Sequence, residues 1–465
     1  MSILSFIKSR APNLPRPVGN LMARTPYGIR PTIGRAYRKA QRIRAWYDES
    51  ATPEERREFI FASVRRIVEY AIRTTPFYRT FYREHGFKLE DLRNFDDLAS
   101  IPIISKEILQ EIALEERSAR RLGRTLTFTG GSTGEPFKFY SDYRQLGNEW
   151  AHMHYVWSRL GYRSNDLLLT VCLEPERPPV FYDALRHTLA LNIHFDRAHV
   201  AREYRALPRR RRRASFFRGY PGAIAEFLEY CERSAPDILA ELRTTIRGSF
   251  LASEYPHPSF RDAIERTTGR PTISWYGLSE RVLLAYERDR SYEYAPMQSY
   301  GFCEATTTAA GFTSLVGTSY YNYASPLIRY RIDDGIGDLK YDHGVLSSFR
   351  ITEGRMGDYL IDKKGARFSI THLNLSCRPE TWQLARFIQV EQPAPGQVIF
   401  WITPRCETTV DELARAFQFD DLNLDCQFRI VARPILSARG KALLKVTTGA
   451  APLEERISDA LSFPS

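Results

Sequence analysis

The alternation of apolar runs with helical segments between positions 166 and 277 constrains this chain most. DLLLTVCLE (166–174), LALNIHF (189–195), ASFFRGYP (214–221), IRGSFLAS (246–253) and TISWYG (272–277) read as strands. Between the later members lie GAIAEFLEYCERS (222–234) and RDAIERTTG (261–269), which read as helices, the second ending in glycine. Strands that alternate with helices imply βαβ units and a parallel sheet. Upstream, Thr52-Pro53-Glu54-Glu55 forms a capping box with proline at the first helical position. Phe59, Ile60, Val64, Ile67, Val68 and Ala71 follow at helical spacing, which predicts an amphipathic helix over 53–73. From 300 to 332 the pattern turns β-rich. Beyond about 353 comes a smaller piece with a strand at VIFWIT (398–403) and a helix at VDELARAFQ (410–418). The expected fold class is α/β. A large N-terminal domain, 1–353, has a β-rich subdomain and a basic extension over 1–50. A small α+β domain follows, 354–465.

Composition narrows the function classes. At 465 residues and 43% hydrophobic, the chain can bury a sizeable core. No apolar run reaches the ~18 residues of a membrane-spanning helix, so none is expected. At the N-terminus, MSILSFIKSRAPNLPRP, the basic residues follow the apolar patch, the reverse of a secretory signal. Cysteines at 172, 231, 303, 377, 406 and 426 form no CxxC pair; they read as reduced thiols of a cytoplasmic protein. A net charge of +11 suits nucleic acid, an anionic membrane surface or polyanionic small molecules such as nucleotides. The arginine run at 209–213 (PRRRRRASFF) lacks interleaved aromatics, so it reads as a solvated loop, and no nucleic-acid partner is expected. The basic first 45 residues leave a surface helix and a peripheral membrane contact both open. The expected state is a monomer or homodimer.

TFTGGSTGEPFKFY (127–140) sets a glycine-rich loop between two strand-like runs. Glycine permits turns with positive φ and close backbone approach to a ligand. With the hydroxyls of Thr129, Ser132 and Thr133, the loop suits a polyphosphate, while a plain hairpin remains the alternative. It is not a Walker A loop, because Gly134 is followed by Glu135-Pro136 and then a strand rather than a helix. The same downstream strand argues against a nucleophile elbow at Gly130 to Gly134. YGLSE (276–280) lies at a strand end, where open α/β sheets place ligands. SPLIRYRIDDG (325–335), EGRMGD (353–358) and ARGKALLKV (438–446) follow.

In that order and at those spacings, these segments resemble the adenylate-forming enzymes, in the phenylacetate–coenzyme A ligase-like branch that includes polysaccharide-cluster ligases. The resemblance runs from about Pro76 to about Val446. It implies a small C-terminal domain that swings as a lid. It also implies a two-step activity: ATP-dependent activation of a small-molecule carboxylic acid to an acyl-adenylate, then transfer to a thiol, foremost that of coenzyme A. A carrier protein or an amine as acceptor, or a nucleotide-binding homologue without catalysis, stays open. By resemblance, Thr129, Gly130, Gly131, Ser132, Thr133 and Gly134 cradle the ATP phosphates, with Lys138 just beyond. Tyr276 and Gly277 lie against adenine, with Ser253 and Glu254 on the same side. Glu280 helps hold Mg²⁺. Asp334 faces the ribose hydroxyls, with Asp333 as the neighbouring acid, and Arg355 lies near the ribose. Gly357 and Asp358 form the hinge. Lys441 is the mobile catalytic lysine, and Lys445 is its competitor in the same segment. The metal site that some relatives carry after YGLSE is missing its Cys and His residues here, so no zinc is expected. Tyr155 and Tyr220, with His152, His154, Trp157, Phe216 and Phe217, are candidates for an aromatic acid pocket.

Overall fold

The computed structural model describes residues 13–129, 137–172, 174, 177–192, 195–253, 256, 258–308, 313–353, 359–365, 367–369, 381, 384–404, 407–417, 423–431, 435 and 445–446. Among the described residues, the first helices are α1 (Arg16–Arg24), α2 (Gly34–Glu49), α3 (Pro53–Thr74) and α4 (Pro76–Glu84). Helix α3 starts at the expected capping box: Glu55 N–H donates to Thr52 Oγ1 (3.2 Å), and Thr52 N–H donates to Glu55 Oε2 (2.8 Å). It stops at Thr75, which the following proline holds in an extended conformation. A short helix α5 (Lys106–Glu111) leads to the hairpin β1 (Thr125–Phe128) and β2 (Lys138–Ser141), then to α6 (Tyr143–Ser158).

The strands read between 166 and 277 form the parallel heart of a larger sheet. They are β3 (Leu168–Cys172), β5 (Thr188–Asn192), β6 (Phe216–Gly219), β7 (Gly248–Leu251) and β8 (Thr272–Gly277). An unforeseen strand β4 (Val180–Asp183) pairs antiparallel with β5 and closes that end. Alternate residues point to opposite faces. Leu168, Phe216 and Phe250 pack under α6, whereas Leu169, Phe217 and Leu251 pack against the other layer. That layer holds α7 (Arg197–Ala206), the single-turn α8 (Arg209–Arg212), α9 (Pro221–Ser234), α10 (Pro236–Thr245) and α11 (Pro258–Thr268). Burial on both faces explains why these strands read as continuous apolar runs. Each fully buried phenylalanine contributes about 1.5–3 kcal/mol.

Beyond β8 the sheet turns antiparallel through β9 (Leu284–Glu287), β10 (Tyr294–Pro296), β11 (Gly301–Thr307), β12 (Thr313–Ser319), β13 (Tyr330–Asp342) and β14 (Val345–Glu353). The β-rich stretch is therefore continuous with the parallel strands in one sheet of twelve described strands, ordered 11-12-13-14-10-9-8-7-6-3-5-4. Helices α3 and α4 cover this half through Ile60, Val64, Ile67, Tyr78 and Phe81. Helix α2 packs on α6, with Tyr37 Oη 2.9 Å from His154 Nδ1, so residues 34–49 are part of this body rather than an extension from it. Further along stand the two-stranded pair β15 (Tyr359–Ile361) and β16 (Arg367–Ser369), and a four-stranded sheet with α12 (Val410–Ala416). Its order is β19 (Asp425–Ile430), β18 (Gln397–Pro404), β17 (Ala385–Ala394), β20 (Lys445–Val446). Leu360, Ile388, Val390, Phe400, Ile402 and Leu413 form a separate apolar core here.

Candidate active site

The parallel strands β6, β7 and β8 end at one edge. Tyr220 follows β6, Ser253 follows β7, and Tyr276-Gly277 close β8. Ser253 holds φ at +66°, a backbone conformation that non-glycine residues adopt at a cost of order 1–3 kcal/mol and that clusters at ligand sites.

Two tyrosine–carboxylate contacts tie this edge to β13. Tyr276 Oη donates to Asp334 Oδ2 at 2.6 Å. Tyr330 Oη donates to Glu280 Oε1 at 3.2 Å in the interior. The Tyr276 ring stands edge-on to Phe349, 5.8 Å between centroids, so the hydroxyl is fixed by packing as well as by its partner.

Glu280 lies on the turn after β8 and is buried. Several elements hold that turn. Gln145 Nε2, at the start of α6, donates to the Glu280 carbonyl oxygen at 3.1 Å. Arg281 takes φ of +55°; its Nε donates to Glu149, and its Nη1 donates to Ser141 Oγ at 3.3 Å. Val282 is pressed against β11 and β12. At Gly317 an added Cβ would lie 2.7 Å from its side chain, and at Gly301 one would collide with its carbonyl oxygen. Those two glycines are required by close approach rather than by φ.

The hairpin that carries the glycine-rich loop is joined to the same cluster. Thr129 accepts from Phe137 N–H at 3.0 Å through its Oγ1, which closes the base of the loop. Phe137 is fully buried and stacks on Tyr330 with an interplanar angle of 21°. Arg117 lies over the Phe137 ring at 4.6 Å and donates to the Lys138 carbonyl oxygen at 2.7 Å. Ser141, on β2, bonds Thr127 on β1 at 2.8 Å and receives Arg281. The structure thus gathers Thr129, Tyr276, Gly277, Glu280 and Asp334, which the sequence separates by up to two hundred positions. Gly130, Gly131, Ser132, Thr133, Gly134, Glu254, Arg355, Gly357, Asp358 and Lys441 lie outside the described residues.

The aromatic candidates separate. Tyr220 is half-buried at the N-cap of α9, on the strand-end edge. Tyr155 stands on the α6 face, edge-on to Tyr286, and lines a cleft of about 380 Å³ with Tyr47 and Met297 rather than with Tyr276 or Asp334. His152, His154, Trp157, Phe216 and Phe217 are buried core. His152 bonds the Asn148 carbonyl oxygen (2.9 Å) and Ser299 Oγ (3.0 Å), and burial lowers its pKa to about 4. Burial pushes His154 down to about 3. Both rings are neutral packing groups near neutral pH. Sequence reasoning passed over Tyr330, Phe137, Gln145 and Arg281. Tyr330 and Phe137 lie within the sequence motifs, but nothing in one-dimensional order says that a tyrosine hydroxyl meets a carboxylate fifty positions away.

Among the described residues, no group of three or more His, Cys, Asp or Glu side chains could by itself hold a metal ion. A buried carboxylate such as Glu280 fits Mg²⁺ in another way, since that ion is commonly held by one or two carboxylates plus nucleotide phosphates. No helix among the described residues is long and apolar enough to cross a membrane.

The fold is shared with solved CoA ligases. A 2-hydroxyisobutyryl-CoA ligase in complex with 2-HIB-AMP and CoA, in the thioesterification state, matches with TM-score 0.55 and 15% identity over 88% of this chain and 94% of that one. The same ligase in the postadenylation state with R3-HIB-AMP matches with TM-score 0.53 and 14% identity, over the same shares. No protein-family model matches the chain, and no curated protein does by sequence.

Proposed function

We propose that this chain is an ATP-dependent carboxylate–CoA ligase that works through an acyl-adenylate. The observation that carries the reading is the paired arrangement of Tyr276 with Asp334 and Tyr330 with Glu280, at the strand-end edge beside the glycine-rich hairpin. Two carboxylates are held apart, each aimed by a phenol, where open α/β sheets bind nucleotides. The shared fold with a ligase solved with an adenylate and CoA supports the same reading. The motif order favours the phenylacetate–coenzyme A ligase-like branch.

In the first step a carboxylate oxygen of the acid attacks the α-phosphorus of ATP. The bond to the bridging oxygen breaks, and pyrophosphate leaves with the electron pair. Asp334 has Oδ1 to accept from the ribose, while Tyr276 holds Oδ2. Mg²⁺ held by Glu280 would offset charge on the phosphates. Negative charge grows in the transition state, and Lys441 is the cation that meets it. In the second step the thiol of coenzyme A, its proton lost to solvent, attacks the acyl carbon, and AMP departs with the C–O electron pair. Movement of the small domain about Gly357 and Asp358 would withdraw Lys441 between steps.

The test is pyrophosphate release with ATP and Mg²⁺ against a panel of carboxylic acids, with and without coenzyme A. Acid-dependent release that falls about 10²- to 10³-fold in Lys441→Ala is expected. Release stimulated by coenzyme A, with formation of the thioester, identifies the acceptor. Failure to bind ATP by calorimetry would overturn the proposal.

A further inference from the structure

The edge where the parallel strands begin, opposite the candidate active site, is lined with arginines. Arg163 precedes β3, Arg213 precedes β6, Arg247 precedes β7 and Arg270 precedes β8; Arg288 follows the antiparallel β9 at the same edge. All five are exposed, as are Arg209, Arg210 and Arg211 on α8. Three acids near the run are already engaged: Glu241 with Arg212 at 3.0 Å, Asp237 with Arg205 at 2.6 Å, Asp166 with Arg247 at 2.5 Å. Among the described residues no carboxylate pairs with Arg209, Arg210, Arg211 or Arg213.

Helix α1 lies beside this run. Its Gly19 packs on the Tyr182 ring of β4, and Arg16 lies over the same ring at 5.1 Å. Burial lowers the Arg16 pKa, and repulsion from Arg211 acts in the same direction. While Gly19 and Ala23 face inward, Val18 and Leu21, three apart on the other face, are 40% and 69% exposed. Ile29, just beyond the helix, is 67% exposed. Arg16 and Arg24 bracket Val18 and Leu21.

We propose that this edge, α1 with Arg209, Arg210, Arg211 and Arg213, is a docking surface for an anionic lipid bilayer. A cationic patch attracts the anionic surface, and aliphatic side chains enter the headgroup boundary; membrane association commonly needs two such signals together. A nucleic acid would engage the arginines but leave Leu21 and Ile29 in water, and aliphatic groups offer no ring for base stacking. Docking by this edge leaves Tyr276 and Asp334, at the other ends of the strands, facing away from the bilayer.

The experiment is co-flotation of the full chain with vesicles of phosphatidylcholine alone or with about one-third phosphatidylserine, repeated at higher salt. Binding only to the anionic vesicles, weakened by salt, is expected. Near an anionic surface each arginine strengthens partition about fivefold, so R209Q/R210Q/R211Q/R213Q should lower it by two to three orders of magnitude. The corresponding fourfold Arg→Lys variant should retain it. Leu21→Glu should weaken it severalfold while thermal melting stays unchanged. Equal binding to both vesicle types, full binding by the glutamine variant, loss in the lysine variant, or no vesicle binding would each overturn the proposal. So would binding of short RNA or DNA without vesicle binding.

Discussion

The two edges of the large sheet treat polar groups in opposite ways. At the strand-end edge, Tyr276 bonds Asp334, Tyr330 and Gln145 bond Glu280, Arg281 bonds Glu149 and Ser141, and Glu280 and Tyr330 are buried. At the strand-start edge, Arg209, Arg210, Arg211 and Arg213 stand exposed without carboxylate partners among the described residues. The first arrangement suits a site that must hold atoms in fixed positions before a ligand arrives. The second suits long-range attraction to a large anionic object, where geometry matters little. Helix α6 connects the two: its first turn carries Gln145, and Arg159 follows its last.

That connecting helix yields the largest predicted effect. His152 and His154 are neutral in the fold, with pKa values near 4 and 3 against 6.5 when free. His152 faces Asn148, Ser299 and Tyr300; His154 faces Tyr27, Tyr37, Trp150, Trp157 and Tyr162, with Arg30 nearby. Between about pH 6.5 and 3 the unfolded chain takes up protons that the folded chain refuses. Stability is therefore full above pH 6.5 and declines on acidification, by on the order of several kcal/mol from the pair. Denaturant titrations across this range should show the slope, and His152→Gln should flatten it. An unchanged slope would mean that His152 takes up its proton equally in the folded and the unfolded chain.

The second effect contrasts arginines within the strand-start edge. Arg261 is 1% exposed, and its Nη1 donates to the buried Glu287 Oε1 at 2.9 Å. Arg261→Met leaves that carboxylate unpaired and should cost about 3–5 kcal/mol in denaturant unfolding. The four-arginine glutamine variant at 209, 210, 211 and 213 should change stability by less than about 0.5 kcal/mol, with pyrophosphate release unaltered. Equal stability losses would erase the distinction between structural and presented arginines.

What the sequence disclosed follows the same physical division. The five parallel strands were legible because burial on both faces makes them continuous apolar runs, and Thr52-Pro53-Glu54-Glu55 marked α3 because capping is local chemistry. Strand β4 was not, since its half-buried VFYD run lacks that apolar continuity. Nor was the merging of the β-rich stretch into one sheet, because apolar pattern does not encode strand partners. The motifs named Tyr276, Glu280 and Asp334 as candidates, but their mutual contacts with tyrosine hydroxyls depend on the pairing of distant strands. The aromatic cluster misled for a related reason: Trp157 and Phe216 look alike in sequence whether they line a pocket or fill a core, and only the packing of α6 on Phe250 decides.

Two substitutions sharpen the strand-end edge itself. Asp334→Asn keeps the size of the side chain but removes the charged acceptor of Tyr276. A charge-assisted hydrogen bond is worth about 1.5–3 kcal/mol, so kcat/KM for ATP should fall roughly 10- to 150-fold. The smaller effect is that of Tyr330→Phe, which deletes one hydroxyl and leaves the ring stacked on Phe137. Glu280 would lose one donor through a bond longer than that of Tyr276 to Asp334 (3.2 against 2.6 Å), a change of about 1.5 kcal/mol, the lower end for a charged acceptor. That predicts about a twelvefold loss in pyrophosphate release, partly recovered by raising Mg²⁺, with melting temperature and vesicle binding unchanged. Recovery by Mg²⁺ distinguishes a residue that aims Glu280 from one that merely packs beneath it. A loss of melting temperature with no altered Mg²⁺ dependence would assign Tyr330 to the core and leave Glu280 to be oriented by its own turn.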